Sequence, residues 1–325
     1  MCTTIGITTN EFYFGRNMDL EYSFGERVVM MPRRFPLAFR RAGRLESHYA
    51  ILGMATVAQG FPLYADGMNE KGLCMAGLNF PNNACFFKKE VEGKHNVSPF
   101  ELIPWVLGQC ADISEARSLL ADTPLIDIPF SQQMPNAPLH WHIAGRDGSL
   151  VLESTKEGIQ LYDNPAGVLT NNPCFPYQLT NLGLYLNLTV DRPNNCFSKN
   201  LGIDPFGLGL GSHGLPGDYS PTSRFVKAAF LSQNSHCPKD EPGSVSQMFH
   251  LLDTVAVARG SVITPEKKWS ITTYSACMSA AHGVYYYKTY TNNSLTAIDM
   301  HREALDSEEL REFPLATTQQ VFWAN

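Results

Sequence analysis

Two strand-forming runs open the chain with almost nothing between them. Thr3–Thr8 and Phe12–Met18 are rich in Thr, Ile, Phe and Tyr, and only Thr9-Asn10-Glu11 separates them. β-Branched and aromatic residues favour the pleated backbone, and a three-residue gap closes a hairpin. Strands so joined run antiparallel, because a parallel pair needs a crossover of a dozen residues or more. The pattern recurs. Asn69-Glu70-Lys71-Gly72 is a turn leading into the apolar run Leu73–Leu78. Leu139–Ala144 and Ser149–Glu153 flank Arg146-Asp147-Gly148, and Gly158–Tyr162 extends that sheet. Val28–Met31, Ala50–Met54, Ser270–Ser275, Gly283–Tyr290 and Leu295–Asp299 read as further strands.

Helices come in blocks between the strand blocks. Ser98-Pro99-Phe100-Glu101 is a capping box with proline at the first helical position, opening a helix to about Gln109. Asp112-Ile113-Ser114-Glu115 opens a second, with Ala116, Leu119 and Leu120 on one face. Pro221–Leu231 and Ser244–Val257 read as two more, joined by the polar loop 233–243. The expected class is α+β, with antiparallel sheets covered by helices and no doubly wound parallel sheet. With no repeat and no long linker, residues 1–325 are expected to form a single domain.

The charge balance removes several function classes. Twenty-five Lys and Arg against 31 Asp and Glu leave a net charge of −6, so no basic face for nucleic acid is expected. No apolar run approaches the roughly 20 residues that span a bilayer. Met1–Gly6 lacks a basic stretch followed by an apolar one, so a cytoplasmic protein is expected. The eight cysteines are scattered without a C-x-x-C pair, which argues against disulfide staples and structural zinc. Gly209–Gly214 matches G-x-G-x-x-G, but Asp204-Pro205-Phe206 before it and Leu215-Pro216-Gly217 after it deny the strand and helix of a dinucleotide site. His140-Trp141-His142 sets two imidazoles on one strand face with no third ligand in sight. No G-x-S-x-G elbow occurs. No cofactor or metal is expected.

Cys2 changes the reading. A small residue after the initiator methionine favours removal of Met1, which leaves a cysteine with a thiol and a free α-amine on one skeleton. Their ordinary pKa values, about 8.5 and about 8, let the amine serve as general base for its own thiol. The hairpin would hold this nucleophile still where a chain terminus otherwise frays. Across a three-residue loop Thr8 pairs with Phe12 and Cys2 with Met18, so Arg16 lies diagonally on the face of Cys2. There its fixed charge favours a thiolate. Asp19, one residue past the pairing, is placed to hold the α-amine.

Met1-Cys2-Thr3 followed by Phe14-Gly15-Arg16-Asn17-Met18-Asp19 resembles the choloylglycine hydrolase family, which groups bile salt hydrolases with penicillin V acylases among the N-terminal-nucleophile hydrolases. The resemblance runs nearly end to end, through Asp66–Leu73, Ala76–Pro81, Ser98–Glu101, Pro138–Trp141, Leu169–Pro173, Gly214–Asp218 and Ser223–Phe225. It implies a four-layer αββα sandwich and amide hydrolysis through a thioester on Cys2, without cofactor or metal. By it, Arg16 and Asp19 match the charged pair beside the nucleophile. Asn79 and Asn171 match the oxyanion and substrate-amide positions, and Arg224 a second active-site arginine. Asparagine rather than tyrosine at position 79 favours glycine- and taurine-conjugated bile acids over penicillin V. Met18, Phe24, Phe61 and the Ile126–Met134 loop with Phe130 are expected walls for the steroid. Ala65 and Asn136 depart from the family pattern near that pocket. A gut-bacterial origin and a homotetramer are also implied. The competing class is a non-hydrolytic thiol protein using Cys2 for redox or binding.

Overall fold

The computed structural model describes all residues, Met1–Asn325. Strand β1 (Cys2–Thr8) and strand β2 (Phe12–Leu20) pair in the register the loop length dictates, Thr8 opposite Phe12 and Cys2 opposite Met18. They lie inside a seven-stranded sheet that runs from the short strand Val168–Leu169 through β1 and β2 to Trp269–Ser279, Val284–Thr289 and Asn292–Asp299, with Val262–Ile263 paired to Trp269–Ser279 as a branch. A second, nine-stranded sheet runs from Gly158–Asp163 through Gly148–Thr155, Leu139–Gly145, Cys74–Asn79, Asp66–Asn69, Ile51–Ala58 and Arg27–Met31 to Arg311–Phe313, with Phe61–Tyr64 paired to Ile51–Ala58 as a branch. Every pairing within the two sheets is antiparallel.

Alternation along the strands assigns the layers. Val28 and Met30, Leu52 and Met54, and Cys74, Ala76 and Leu78 enter the core between the sheets. Val29 and Met31, Ile51 and Ala55, and Leu73 and Met75 point the other way, into a core under helices α1 (Leu102–Leu107) and α2 (Ile113–Leu120). After the short helix α3 (Phe175–Asn181), helices α4 (Pro221–Gln233) and α5 (Glu241–Asp253) cover the seven-stranded sheet, with Phe225 and Met248 buried on it. The result is helix, sheet, sheet, helix. Gly15 on β2 is needed for this closeness, since a Cβ there would lie 2.3 Å from Met248 Sδ of α5. Gly53 does the same within the second sheet, where a Cβ would fall 2.1 Å from the Asp66 carbonyl oxygen.

Several boundaries differ from the pattern reading. The Ser98 box opens a 3₁₀ turn, Pro99–Glu101, before α1, with Glu101 Oε2 accepting from Ser98 N–H at 2.9 Å. The helix expected over Ser244–Val257 starts at Glu241, because Asp240 caps Gly243 N–H at 2.8 Å, and it stops at Asp253. The strand expected over Ser270–Ser275 runs on to Ser279, because β2 offers it partners along its whole length. Helix α3 carried no capping signal: Cys174 at its start makes no side-chain cap. The glycine run Gly209–Gly214 holds only a 3₁₀ turn, Leu210–Ser212.

Candidate active site

Cys2 is the first residue of β1 and is 3% exposed. All three of its functional groups are held. Its sulfur lies 3.6 Å from Arg16 Nη2 and 3.7 Å from Met18 Sδ. Its nitrogen donates to Asn171 Oδ1 at 2.9 Å. Its carbonyl oxygen accepts from Arg224 Nη1. Strand register explains the convergence. Leu169 pairs with Thr4 in antiparallel sense, so continuing two residues places Asn171 opposite Cys2. Arg224 arrives from the first turn of α4, whose N-cap is Ser220.

Arg16 is buried on the side of the sheets, with both Nη atoms engaged and Nε without a partner. Nη2 donates to Gly77 O at 2.8 Å, and Nη1 to Ala65 O and to Asp66 Oδ2, the latter at 3.3 Å. Position 65 therefore acts through its carbonyl, whatever its side chain. Asp66 also receives two phenols, Tyr285 on Oδ1 and Tyr274 on Oδ2, each at 2.6 Å. Burial opposes the charge on Arg16, yet the combined influence of Tyr274, Cys2 and Asp66 raises its pKa, so the guanidinium stays charged. Burial, and then the neighbouring Asp66, hold both phenols well above their usual range, so each donates as a neutral hydroxyl.

Asp19 is completely buried beside the opposite flank. Thr272 Oγ1 donates to Oδ1 at 2.6 Å, while Oδ2 has no hydrogen-bond partner and lies 4.0 Å from Arg224 Nη1. Thr272 reaches it through a register shift that leaves Thr273 between the pairs Thr272–Asp19 and Tyr274–Met18. Burial pushes the Asp19 carboxyl up, and Arg224 and the chain's ammonium only partly offset that. The ammonium of Met1 donates at 2.7 Å to the Asp19 backbone carbonyl, not to its carboxylate. Arg224 is pushed down by burial, against Asp19 and Cys2.

The two asparagines sit differently. Asn171 is buried, with Oδ1 shared between Cys2 N–H and Arg224 Nη2 (2.7 Å) and Nδ2 donating to Asn79 O at 2.7 Å. A primary amide has two N–H groups, so one remains for a ligand. Asn79 ends the strand Cys74–Asn79 with its side chain exposed. Of the four expected pocket walls, Met18 touches the thiol. Phe61 and Phe130 belong to an aromatic cluster with Phe100, at ring separations of 5.8 Å from Phe61 and 5.3 Å from Phe130, and Arg40 caps Phe100 and Phe130. Phe24 packs half-buried on the edge of the inter-sheet core. Asn136 Nδ2 donates to Asp127 Oδ1 at 3.0 Å and ties down the 127–136 loop.

Pattern reading missed Asp66, Tyr274, Tyr285 and Thr272. Asp66 opens the family-like stretch Asp66–Leu73, but nothing local shows that a carboxylate there meets an arginine 50 residues earlier. The tyrosines carried a faint signal, since Tyr285 and Tyr287 alternate inward in a strand whose Tyr286 is half-buried. No group of three or more His, Cys, Asp or Glu side chains is arranged to hold a metal ion. Surface cavities of about 320–470 Å³ occur around the molecule, and none of these five is lined by Cys2.

Comparison with known proteins agrees with this geometry. A family model described as linear amide C-N hydrolases, choloylglycine hydrolase family, matches residues 2–313. The chain is 46% identical to a bile salt hydrolase/transferase of Lactiplantibacillus plantarum, over 100% of both chains. The structure superposes with a TM-score of 0.92 on the C2A mutant of conjugated bile acid hydrolase from Clostridium perfringens, at 39% identity and full coverage of both. It is similar in fold to a penicillin V acylase from Agrobacterium tumefaciens, with a TM-score of 0.76 at 21% identity, covering 98% of this chain and 92% of that one.

Proposed function

The chain belongs to the choloylglycine hydrolase family of linear amide C–N hydrolases, and from that premise we propose that it cleaves the amide bond of glycine- and taurine-conjugated bile acids. The observation that carries this reading is Cys2 at the head of β1, its sulfur against Arg16 and its nitrogen against Asn171. The two full-length relatives named above act, by their names, on bile salts or conjugated bile acids.

The first step is loss of Met1. It frees the Cys2 nitrogen as a primary amine while Asn171 Oδ1 already stands 2.9 Å away to orient it. The unpartnered Asp19 Oδ2 supplies a counter-charge nearby. In acylation the thiol proton passes to this amine and the sulfur bonds to the substrate's carbonyl carbon. The oxyanion that forms takes a hydrogen bond from the spare N–H of Asn171 and from Asn79. Pre-aimed donors of this kind are each worth about 10²–10³ in turnover. The ammonium then protonates the leaving nitrogen as the C–N bond breaks, releasing glycine or taurine and leaving a cholyl thioester. Water gives its proton to the same amine, its oxygen bonds to the acyl carbon, the C–S bond breaks and the thiol is restored. Arg16 and Arg224 hold the sulfur and the Cys2 carbonyl while this happens.

The steroid is proposed to lie against Met18, with Phe24 and the Phe61–Phe130 cluster as its outer walls, because such sites are mostly apolar with few polar groups. A single catalytic domain over 1–325 in the cytoplasm completes the reading; eight free thiols suit a reducing compartment. A homotetramer is also proposed. Between α3 and α4, Leu184, Leu186, Phe197, Phe206 and Leu208 are all more than three-quarters exposed, an apolar surface suited to a second copy. Release of glycine and taurine from conjugated bile acids, set against release of phenoxyacetate from penicillin V, tests the substrate. A protein that releases only phenoxyacetate overturns the bile-acid assignment. Intact mass tests the nucleophile: active enzyme must lack Met1.

A further inference from the structure

The His140-Trp141-His142 run has no part in the reaction just described, yet both of its imidazoles are completely buried between the sheets. They are satisfied in different ways. His142 has Thr4 Oγ1 at 2.8 Å, Ser149 Oγ at 2.7 Å and Asn164 Nδ2 at 3.2 Å, all neutral groups. Burial, and then the nearby His140, push it down to about 3, so it is an uncharged ring. His140 faces acceptors on both sides. Nδ1 lies 3.1 Å from Glu153 Oε1 and Nε2 lies 3.0 Å from Thr170 O. A backbone carbonyl only accepts, and Glu153 Oε1 already receives Phe175 N–H at 2.9 Å. Glu153 thus links the His140 ring to the start of α3.

The position of this ring carries a further consequence for the site. Thr170 is the residue before Asn171. The same ring stacks on Phe80, centroids 4.3 Å apart and planes 4° from parallel, and Phe80 is the residue after Asn79. His140 thus grips both chain segments that carry the asparagines. We propose that His140, held by Glu153, is a positioning residue that sets the spacing between Asn79 and Asn171 on which stabilisation of the oxyanion depends. The inference rests on the amide-hydrolysis reading of the site. A displacement of about 1 Å at such donors costs on the order of 10² in rate.

Three substitutions separate the three contacts. His140→Gln keeps a donor where Nε2 meets Thr170, His140→Asn keeps one where Nδ1 meets Glu153, and His140→Phe keeps only the stack. Turnover of a glycine-conjugated bile acid is measured per active site, with sites counted by iodoacetamide labelling of Cys2 read from the mass of the N-terminal peptide, which separates it from the exposed Cys196. The expected result is a loss of about 10² in kcat for His140→Asn and His140→Phe, with KM within about threefold and the labelling rate unchanged. His140→Gln is expected to recover kcat to within about tenfold of the parent. The inference is overturned if His140→Gln turns over no faster than His140→Phe, or if the loss appears as fewer labelled sites rather than lower kcat. Should the His140 variants not fold, Glu153→Gln, which still accepts from Phe175 N–H, is the second probe. A kcat lowered about tenfold at constant KM supports positioning, and an unchanged kcat refutes it. If the parent enzyme spares bile conjugates but cleaves penicillin V, the substrate assignment alone fails, and the same ratios are read on penicillin V.

Discussion

The two flanks of Cys2 are both polar and both buried, but they are finished to different degrees. On the sheet side, Arg16 meets Asp66 and two carbonyls, and Asp66 is closed off by Tyr274 and Tyr285. Among these groups only Arg16 Nε is left without a partner, and the guanidinium meets the thiol through Nη2 instead. On the helix side, Asn171 retains a spare N–H, Asp19 Oδ2 has no partner, and the Asp19–Arg224 approach stops at 4.0 Å. A nearly saturated flank gives rigidity and a fixed charge. An unsaturated flank costs stability and leaves donors and acceptors for a substrate. The sheet side is the frame of the site, and the helix side is its working face.

Cys2 is where the flanks meet, so its removal produces the largest effect. Cys2→Ser is expected to lose turnover by several orders of magnitude while the urea midpoint stays at the parent value. A serine variant with near-parental kcat would show that the sulfur is not the nucleophile. The next pair divides the flanks. Asn171→Ala should lower kcat by about 10²–10³ through the lost oxyanion donor. Asp66→Asn should act first on stability, by about 3–5 kcal/mol, because it leaves the buried Arg16 charge uncompensated. Urea unfolding and kcat measured on both proteins decide it. If Asp66→Asn unfolds like the parent, the sheet flank is not the frame. Tyr285→Phe removes one of the two phenols on Asp66 and is expected to cost about 1–3 kcal/mol by the same measurement.

The groups that support Arg16 were less legible in the sequence than those that touch Cys2, for a physical reason. Local signals carried the Cys2–Met18 register and placed Arg16 diagonally to the thiol, because a three-residue loop between strong strand formers leaves little freedom. Antiparallel sheets covered by helices followed from repeated hairpins and capped helices, and the four-layer order from the family resemblance. Asn79, Asn171 and Arg224 came from family motifs, not from spacing. Asp66, Tyr274 and Tyr285 meet only after the two sheets stack, over separations of up to 219 residues, and no periodicity encodes a contact across a sandwich. The Thr272–Tyr274 register shift was equally hidden, since one extra residue in a strand leaves the alternation readable on either side.

The smallest expected effect has the most specific sign. Burial raises the folded-state pKa of Asp19 above its value in the unfolded chain, despite Arg224 and the ammonium. For an acid shifted upward, the unfolded chain gives up its proton first. Folding is therefore favoured most below the unfolded value, and this contribution is lost as pH rises through the folded one. Asp19→Asn removes the titration. Its urea midpoint should equal or slightly exceed the parent's at neutral pH, with the difference shrinking toward acid, while kcat falls because the amine and Arg224 lose their counter-charge. A carboxylate kept for stability would give the reverse: a variant less stable at neutral pH than the parent, by a margin that closes on acidification. That outcome would move Asp19 from the working face to the frame.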